Sequence, residues 1–441
     1  MNASGLRRTT VAFLALYALA RLVAFGREST IAYLFGATRE TDAYVAATAL
    51  PELVAGVLLS GVLGYAIIPE FVRRRNEGDL RGAAHLLQAA LSQVLLLTGA
   101  LAVLTVVLAG AVVSAVGPGL DGQQHDDAVL MLRVASPAMV LYGITGAAGA
   151  ALNARNSFLP VPLSFVLGNA VGIAALLAFS TFGIVAAALG YLVSAAVFAA
   201  FQWALVRRGT DVRLGRPRLR GPEVAGLLRA GLIAIVITSA PFMRSFVERI
   251  LASTASAGDL AALGFATRLI LVVGALVAVS VGTVVFPTLA EQAVAQRRAA
   301  FMHTLRRATG LVLAVSLPAS LVLIAVPSPV VSVLFERGEF GSGDTAVTAA
   351  IVRAFAIGLM PICVSEILLR ALFALGVRRA ALVAVMGTLA LNLILDVWLL
   401  HAVGVEGLGI GASIALWLNM ALLGTLVARA VRQPRVAEHA T

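Results

Sequence analysis

The chain has 441 residues, 60% of them hydrophobic and 12% charged, with a mean hydropathy of +0.97. Those proportions fall far outside the range of soluble domains and exclude a water-soluble enzyme or binding module. The formal charge of +11 is carried wholly by arginine, since no lysine occurs, and it points to nucleic acid only until it is placed along the chain.

Apolar stretches of about 20 residues are each long enough to cross a bilayer. The sequence predicts twelve of them, roughly 9–34, 42–70, 84–116, 128–151, 160–181, 184–206, 224–252, 260–290, 305–333, 346–375, 380–401 and 404–428. The apolar run of the first is too long for a cleaved signal peptide, and no small-residue cleavage site follows it. Arginines gather in alternate loops: Arg7 and Arg8, Arg73 to Arg75 with Arg81, Arg155, Arg207 to Arg220, Arg297 to Arg307, Arg378 and Arg379, then Arg429, Arg432 and Arg435. The loops between them carry Asp121, Asp126, Asp127, Asp259, Glu336, Glu339 and Asp344, opposed only by Arg39 and Arg337. This positive-inside alternation predicts a multi-pass protein of a bacterial cytoplasmic membrane with both termini cytoplasmic. Orientation and contact with anionic lipid headgroups then account for the charge, and no nucleic-acid partner is required.

Six predicted spans precede the polar, arginine-rich segment 207–222, and six follow it. The halves echo each other. Under a shift of 218, Gly56 falls on Gly274, Gly64 on Gly282 and Pro69 on Pro287; with a slightly larger shift Gly183-Ile184 falls on Gly404-Val405 and Gly190 on Gly411. An even number of crossings per half gives both halves one orientation. The expected fold is therefore all-α and polytopic, about twelve transmembrane helices in two six-helix lobes related by a pseudo-two-fold along the membrane normal. The expected boundaries are 1–206 for the first lobe, 207–222 for a cytoplasmic linker, 223–432 for the second lobe and 433–441 for a disordered tail.

Catalytic signatures are absent: there is no phosphate-binding glycine loop, no HExxH and no nucleophile elbow. Cys363 is the single cysteine, which excludes a disulfide framework, and the five histidines are scattered at loops or span ends. The informative residues are charges inside spans, each costing several kcal/mol in hydrocarbon unless it faces protein or water. Span one carries Arg21, Arg27 and Glu28; span two Asp42 at its outer end and Glu52; span seven Arg244, Glu248 and Arg249; span eight Arg268; span ten Arg353, Glu366 and Arg370; span eleven Asp396. Arg244 with Glu248, and Glu366 with Arg370, have the i,i+4 spacing at which opposite charges neutralise each other on one helix. Arg133 and Arg353 have stems long enough to reach an interface. Arg21, Arg27 and Arg268 exceed their nearest acids, and guanidinium forks bind phosphate oxygens bidentately. The pattern suggests an anionic, phosphate-bearing substrate.

The ordered set Arg21-Leu22, Gly26-Arg27-Glu28, Phe35-Gly36-Ala37, Thr41-Asp42-Ala43-Tyr44, Pro51, Gly61 and Pro69 resembles the opening of the MurJ/MviN lipid II flippases, members of the multidrug/oligosaccharidyl-lipid/polysaccharide exporter superfamily. Glu248 to Ser253, Ala266-Thr267-Arg268-Leu269, Gly282-Thr283 and Phe286-Pro287-Thr288-Leu289 extend the likeness, which covers roughly residues 8–432. The resemblance implies a transporter rather than an enzyme, whose substrate is a polyprenyl-pyrophosphate-linked glycan and whose surroundings are membrane lipids and cell-wall synthesis proteins. It also implies that Arg21, Arg27 and Arg268 contact the pyrophosphate, with Glu28 beside them, and that Asp42 is functionally sensitive. In some members Glu248, Asn392 and Asp396 would match a sodium site, the alternatives being membrane-potential coupling and, for Asn392 with Asp396, an interhelical hydrogen bond. The sequence departs from the family pattern at Ala55-Gly56, where an arginine is usual, and at Thr267, Leu271 and Ala412; it also has twelve predicted spans where fourteen are common. A drug/cation antiporter of the same superfamily and a non-transporting cell-wall scaffold are the other readings.

Overall fold

The computed structural model describes residues 3–59, 74, 77–155, 157–208, 236 and 239–432. Among these the secondary structure is helical throughout, without a strand. In the first half the helices are α1 (Ala3–Phe35), α2 (Arg39–Val57), α3 (Leu80–Val107), α4 (Ala109–Val116), α5 (Gly122–Ala135), α6 (Ala138–Ala154), α7 (Pro160–Ala178) and α8 (Val185–Arg208). The second half has α9 (239–252), α10 (Asp259–Val294), α11 (Arg298–Ala325), α12 (Pro327–Phe335), α13 (Ser342–Ala356), α14 (Leu359–Ala374), α15 (Arg378–Val403) and α16 (Glu406–Arg432). Seven stretches of the described residues are long and apolar enough to cross a membrane, and α13 with α14, bent by 40° at their junction, makes an eighth. The chain is an all-α polytopic membrane protein. Parts of predicted spans two and seven, most of the linker, the tail, and Gly61, Gly64 and Pro69 of the sequence motifs lie outside the described residues.

The duplication read from glycines recurs in the backbone. Leu80 and Arg298, Ala109 and Pro327, and Pro160 and Arg378 open helices at positions 218 apart. Even the interruptions repeat. One span breaks at Leu108 and its counterpart at Val326, while another breaks at Ser136-Pro137 and its counterpart at Ile357-Gly358. The turns before α8 and α16 match as well: Gly183 has φ 63°, ψ −149° and Gly404 has φ 79°, ψ −160°. That region of conformational space is open to glycine alone, which is why both copies keep it.

Contacts divide the chain into two compact units, Met1–Phe265 with Leu334–Asp344, and Ala266–Val333 with Thr345–Thr441. In the first unit α7 packs on α8 and on α1, and α6 packs on α8 and α3. The α7–α8 crossing is close because Gly168, Gly172 and Gly190 leave room for Phe198, Ser194 and Leu176, small residues substituting for the missing hydrophobic drive between helices in lipid. Tyr142, Tyr191, Phe198, Ala55, Ala135, Ala138 and Ala195 form a buried cluster at its centre.

In the second unit α15 packs on α16, and α14 on α16 and α11. The α13–α14 break frees two carbonyls, and α16 answers both. Gly358 N–H donates to Phe355 O at 2.9 Å, so Ala354 O loses its α-helical donor, and Ser413 Oγ–H supplies one at 2.7 Å. Pro361 has no N–H to offer Ile357 O, and the Trp417 indole Nε1–H donates there at 3.1 Å. Without water in a bilayer, a freed carbonyl needs such a neighbour.

Candidate functional site

The polar side chains of the first unit begin on α1. Phe13, Tyr17 and Arg21 follow at i,i+4 steps, so a single helical face carries them. The Phe13 and Tyr17 rings stack at 6.3 Å, and the Arg21 guanidinium lies 5.1 Å from the Tyr17 ring centroid. Arg21 Nη2–H and Nε–H both donate to the Tyr17 hydroxyl oxygen, at 2.8 and 3.3 Å. Arg21 is half-buried. Nearly two turns on, Arg27 is buried, donates from Nη2 to Glu28 Oε1 at 2.8 Å and sits 5.7 Å from the Tyr191 ring centroid. Its Nε is buried and has no hydrogen-bond acceptor. Tyr191 in turn leans on Tyr142 at 5.8 Å, which ties this arginine to the central aromatic cluster.

Two more ion pairs lie on α2 and α9. Arg249 Nη2–H donates to Glu52 Oε2 at 2.6 Å across 197 residues of sequence, and Arg244 Nη1–H donates to Glu248 Oε1 at 2.9 Å within one helix. Removing one member of such a buried pair strands a charge, at a cost of about 3–5 kcal/mol, so the Glu52–Arg249 pair fixes the α2–α9 register. Gly56, one turn after Glu52, leaves space that the Phe242 ring of α9 fills. Ala55, standing where the family pattern has an arginine, is buried in the Tyr142–Tyr191–Phe198 cluster; a guanidinium has no room in it.

The acid at the start of α2 has a different role. Asp42 is 4% exposed, and its Oδ2 and Oδ1 accept the backbone N–H groups of Gly258 and Ala261 at 2.6 and 2.7 Å. It thereby caps the first turn of α10, where unpaired N–H groups and the helix dipole favour an anion. Gly258, at φ 89°, lets the chain turn into that helix against the Ala37 carbonyl. On the same end Glu339 N–H donates to Tyr33 O at 3.0 Å, Gln124 Nε2–H to Arg39 O at 2.9 Å, and a Cβ on Gly36 would stand 2.7 Å from Glu339 O. Phe25, Phe265, Phe335 and Phe340 pack beneath, with centroids 5.3 to 5.7 Å apart. The first unit is thus sealed at the end whose loops are acidic, by hydrogen bonds to backbone groups with an aromatic cluster beneath them.

The remaining expected residues belong to the second unit. Arg268, on α10, is half-buried and engaged in polar interactions. Asn392 and Asp396, both fully buried on α15, join through an Asn392 Nδ2–H to Asp396 Oδ1 bond of 2.7 Å. The Asn392 Oδ1 atom is buried without a donor, which suits a cation ligand. Glu248, the third expected ligand, already has the Arg244 guanidinium against its carboxylate, which suits one less. Among the described residues no group of three His, Cys, Asp or Glu side chains gathers as a metal site.

Pairing of Arg244 with Glu248 was legible from spacing. The Glu52–Arg249 pair was not, although one lone acid in span two and one surplus arginine in span seven are the signal that would have proposed it. The partner of Asp42 was invisible because backbone N–H groups carry no sequence mark. Arg133 and Arg353 are exposed, as expected for arginines reaching an interface. Glu366 has Arg370 as its charged neighbour.

Residues 31–439 match the sequence profile of the family described as "Lipid II flippase MurJ". The "Lipid II flippase MurJ" of Burkholderia cenocepacia is 28% identical over 421 residues, covering 92% of this chain and 80% of that protein. The "Probable lipid II flippase MurJ" of Buchnera aphidicola is 25% identical over 413 residues, with the same coverage of each. Among solved structures, "Lipid II flippase MurJ, inward closed conformation" superposes with TM-score 0.83 at 22% identity, over 95% of this chain and 87% of that one. An inward-facing multidrug resistance MATE family transporter superposes with TM-score 0.80 at 15% identity, over 97% and 100%. At those identities the two structures establish a shared fold.

Proposed function

Because the chain belongs to the lipid II flippase MurJ family, we propose that it moves lipid II, or a related polyprenyl-pyrophosphate-linked glycan, from the cytoplasmic to the outer leaflet by alternating access. The activity is transport, and no bond is made or broken. We assign the pyrophosphate to Arg21 and Arg27 of α1, with Glu28 setting the Arg27 guanidinium, and to Arg268 as the resemblance implies. Two six-helix lobes, 1–206 and 223–432, would carry the motion, with both termini cytoplasmic; the repeated helix starts and breaks support that division.

The single observation behind the headgroup assignment is the uneven pairing of the first unit. Arg27, Arg244 and Arg249 each face a glutamate, whereas Arg21, within the first span expected from the sequence, faces the Tyr17 hydroxyl and no carboxylate. An uncompensated guanidinium there is costly unless an anion visits it. An antiporter of organic cations would want the opposite sign. In the transport cycle the Asp42 cap and the Gly36–Glu339 closure hold the outer end shut while the headgroup enters from the cytoplasm. Release to the outer leaflet then requires Asp42 to let go of the α10 start.

The test is protection of a fluorescent polyprenyl-pyrophosphate disaccharide in proteoliposomes. Arg21→Gln and Arg27→Gln should each slow flipping at least tenfold, about 1.4 kcal/mol of lost headgroup binding. Undiminished flipping by both variants would remove the headgroup assignment. Sodium coupling is assigned to Asn392 and Asp396. Replacing sodium by choline should slow transport if this holds, and an unchanged rate would leave membrane potential as the driving term, worth about 2.3 kcal/mol per charge per 100 mV.

A further inference from the structure

We propose that Tyr17 is a positioning residue for the anion site, a role that rests on the headgroup reading of Arg21. The argument is an accounting of donors. A guanidinium offers five N–H groups in a fixed planar fork. The Tyr17 oxygen takes Nε–H and one Nη2–H, which is the side-on edge of the fork. The opposite edge, with both Nη1–H groups and the second Nη2–H, is left for two oxygens of a diphosphate. An oxygen that accepts two N–H groups still has its own proton to give. The phenol O–H can therefore join the guanidinium as a fourth donor to the same anion.

Tyr17 achieves this without neutralising the charge. A glutamate at that position would orient Arg21 equally well and cancel it, as Glu28, Glu52 and Glu248 do for their partners. The ring adds orientation from a second direction, since the guanidinium carbon lies 5.1 Å from its centroid, and Phe13 stacks on the far side of the stripe at 6.3 Å. One turn beyond Arg21, Phe25 is locked against Phe335 at 5.3 Å beneath the closed end. The stripe Phe13–Tyr17–Arg21 therefore ends against the seal, and the proposal takes the Phe13 side of the stripe as the approach of the anion. Aromatic faces lining that approach also suit the apolar faces of the sugar rings that follow a diphosphate.

The experiment is a double-mutant cycle read in initial flipping rates against concentration of the same fluorescent polyprenyl-pyrophosphate disaccharide. Tyr17→Phe keeps the ring and its stacking and removes only the oxygen. The half-saturating concentration should rise on the order of fivefold with the maximal rate changed less than twofold. In the Arg21→Gln background the same change should have less than a twofold effect, because Tyr17 acts through Arg21. A purely structural tyrosine would lower the maximal rate, or multiply its loss with that of Arg21→Gln, and either result would overturn the proposal. An unchanged half-saturating concentration in Tyr17→Phe, beside an impaired Arg21→Gln, would overturn it while leaving the headgroup reading intact. Full activity of Arg21→Gln itself would instead remove the headgroup reading and this role with it.

Discussion

Asp42 accepts hydrogen bonds from Gly258 and Ala261, and so clasps the helix start that the duplication pairs with its own. Under the 218 shift Asp42 corresponds to Leu260, which lies between those two donors. A symmetric pair of caps would need an acid at 260 as well. Only one half supplies it, so a duplicated fold is closed by an unduplicated bond. That bond joins groups far apart in sequence at the acidic end of the first unit, the end that the proposed transport cycle opens to release its cargo.

Asp42→Ala strands two buried N–H groups and removes a charged acceptor, each bond being worth about 1.5–3 kcal/mol. The outer end should loosen by more than it does in Asp42→Asn, whose amide oxygen still accepts one of the two. Modification of a cysteine placed at the buried Ala43 by a membrane-impermeant maleimide reads this directly. Labelling should accelerate at least tenfold in Asp42→Ala, and equal rates in the parent and both variants would show that the cap does not hold the closure.

The Glu52–Arg249 pair should behave as a unit. Either single neutralisation leaves a buried charge and should destabilise the protein by about 3–5 kcal/mol, while the exchange Glu52→Arg with Arg249→Glu should recover most of that loss. Thermal unfolding in detergent gives the comparison. Additive losses in the double variant would mean that the two side chains do not meet.

The splint across the α13–α14 break makes a smaller prediction. Trp417→Phe and Ser413→Ala each free one carbonyl, at about 0.5–2 kcal/mol. Ser413→Ala removes little more than the hydroxyl, so its loss of stability isolates the bond to Ala354 O, whereas Trp417→Phe also exchanges the indole for a smaller ring. No change in unfolding temperature would mean that another donor takes its place.

Gly183→Ala and Gly404→Ala should cost alike, about 1–3 kcal/mol each, because both copies hold the same left-handed turn and a Cβ at either meets no neighbour. Conformational strain alone is then being measured. Markedly unequal losses would show that the two turns are not equivalent.

The duplicated glycines, the alternating arginines and the apolar runs made the helical membrane fold legible, because each is a periodic demand repeated many times along the chain. The helix breaks were less legible. Pro137, Pro327 and Pro361 mark three of them, but Leu108 has no proline beside it. Pairings between helices followed the same division. Arg244 with Glu248 could be read from i,i+4 spacing, whereas Glu52 with Arg249 depends on how α2 meets α9. Asp42 shows the limit most clearly, since its partners are backbone groups that any sequence would present.

The central claim is that α1 grips a pyrophosphate through an arginine kept free of carboxylates. The most direct measurement is flipping of a polyprenyl-pyrophosphate disaccharide by Arg21→Gln beside Arg21→Lys. The fork-dependent grip predicts that Lys, which keeps the charge and loses the fork, restores only part of the rate lost in Gln. Full activity in Arg21→Gln would contradict it.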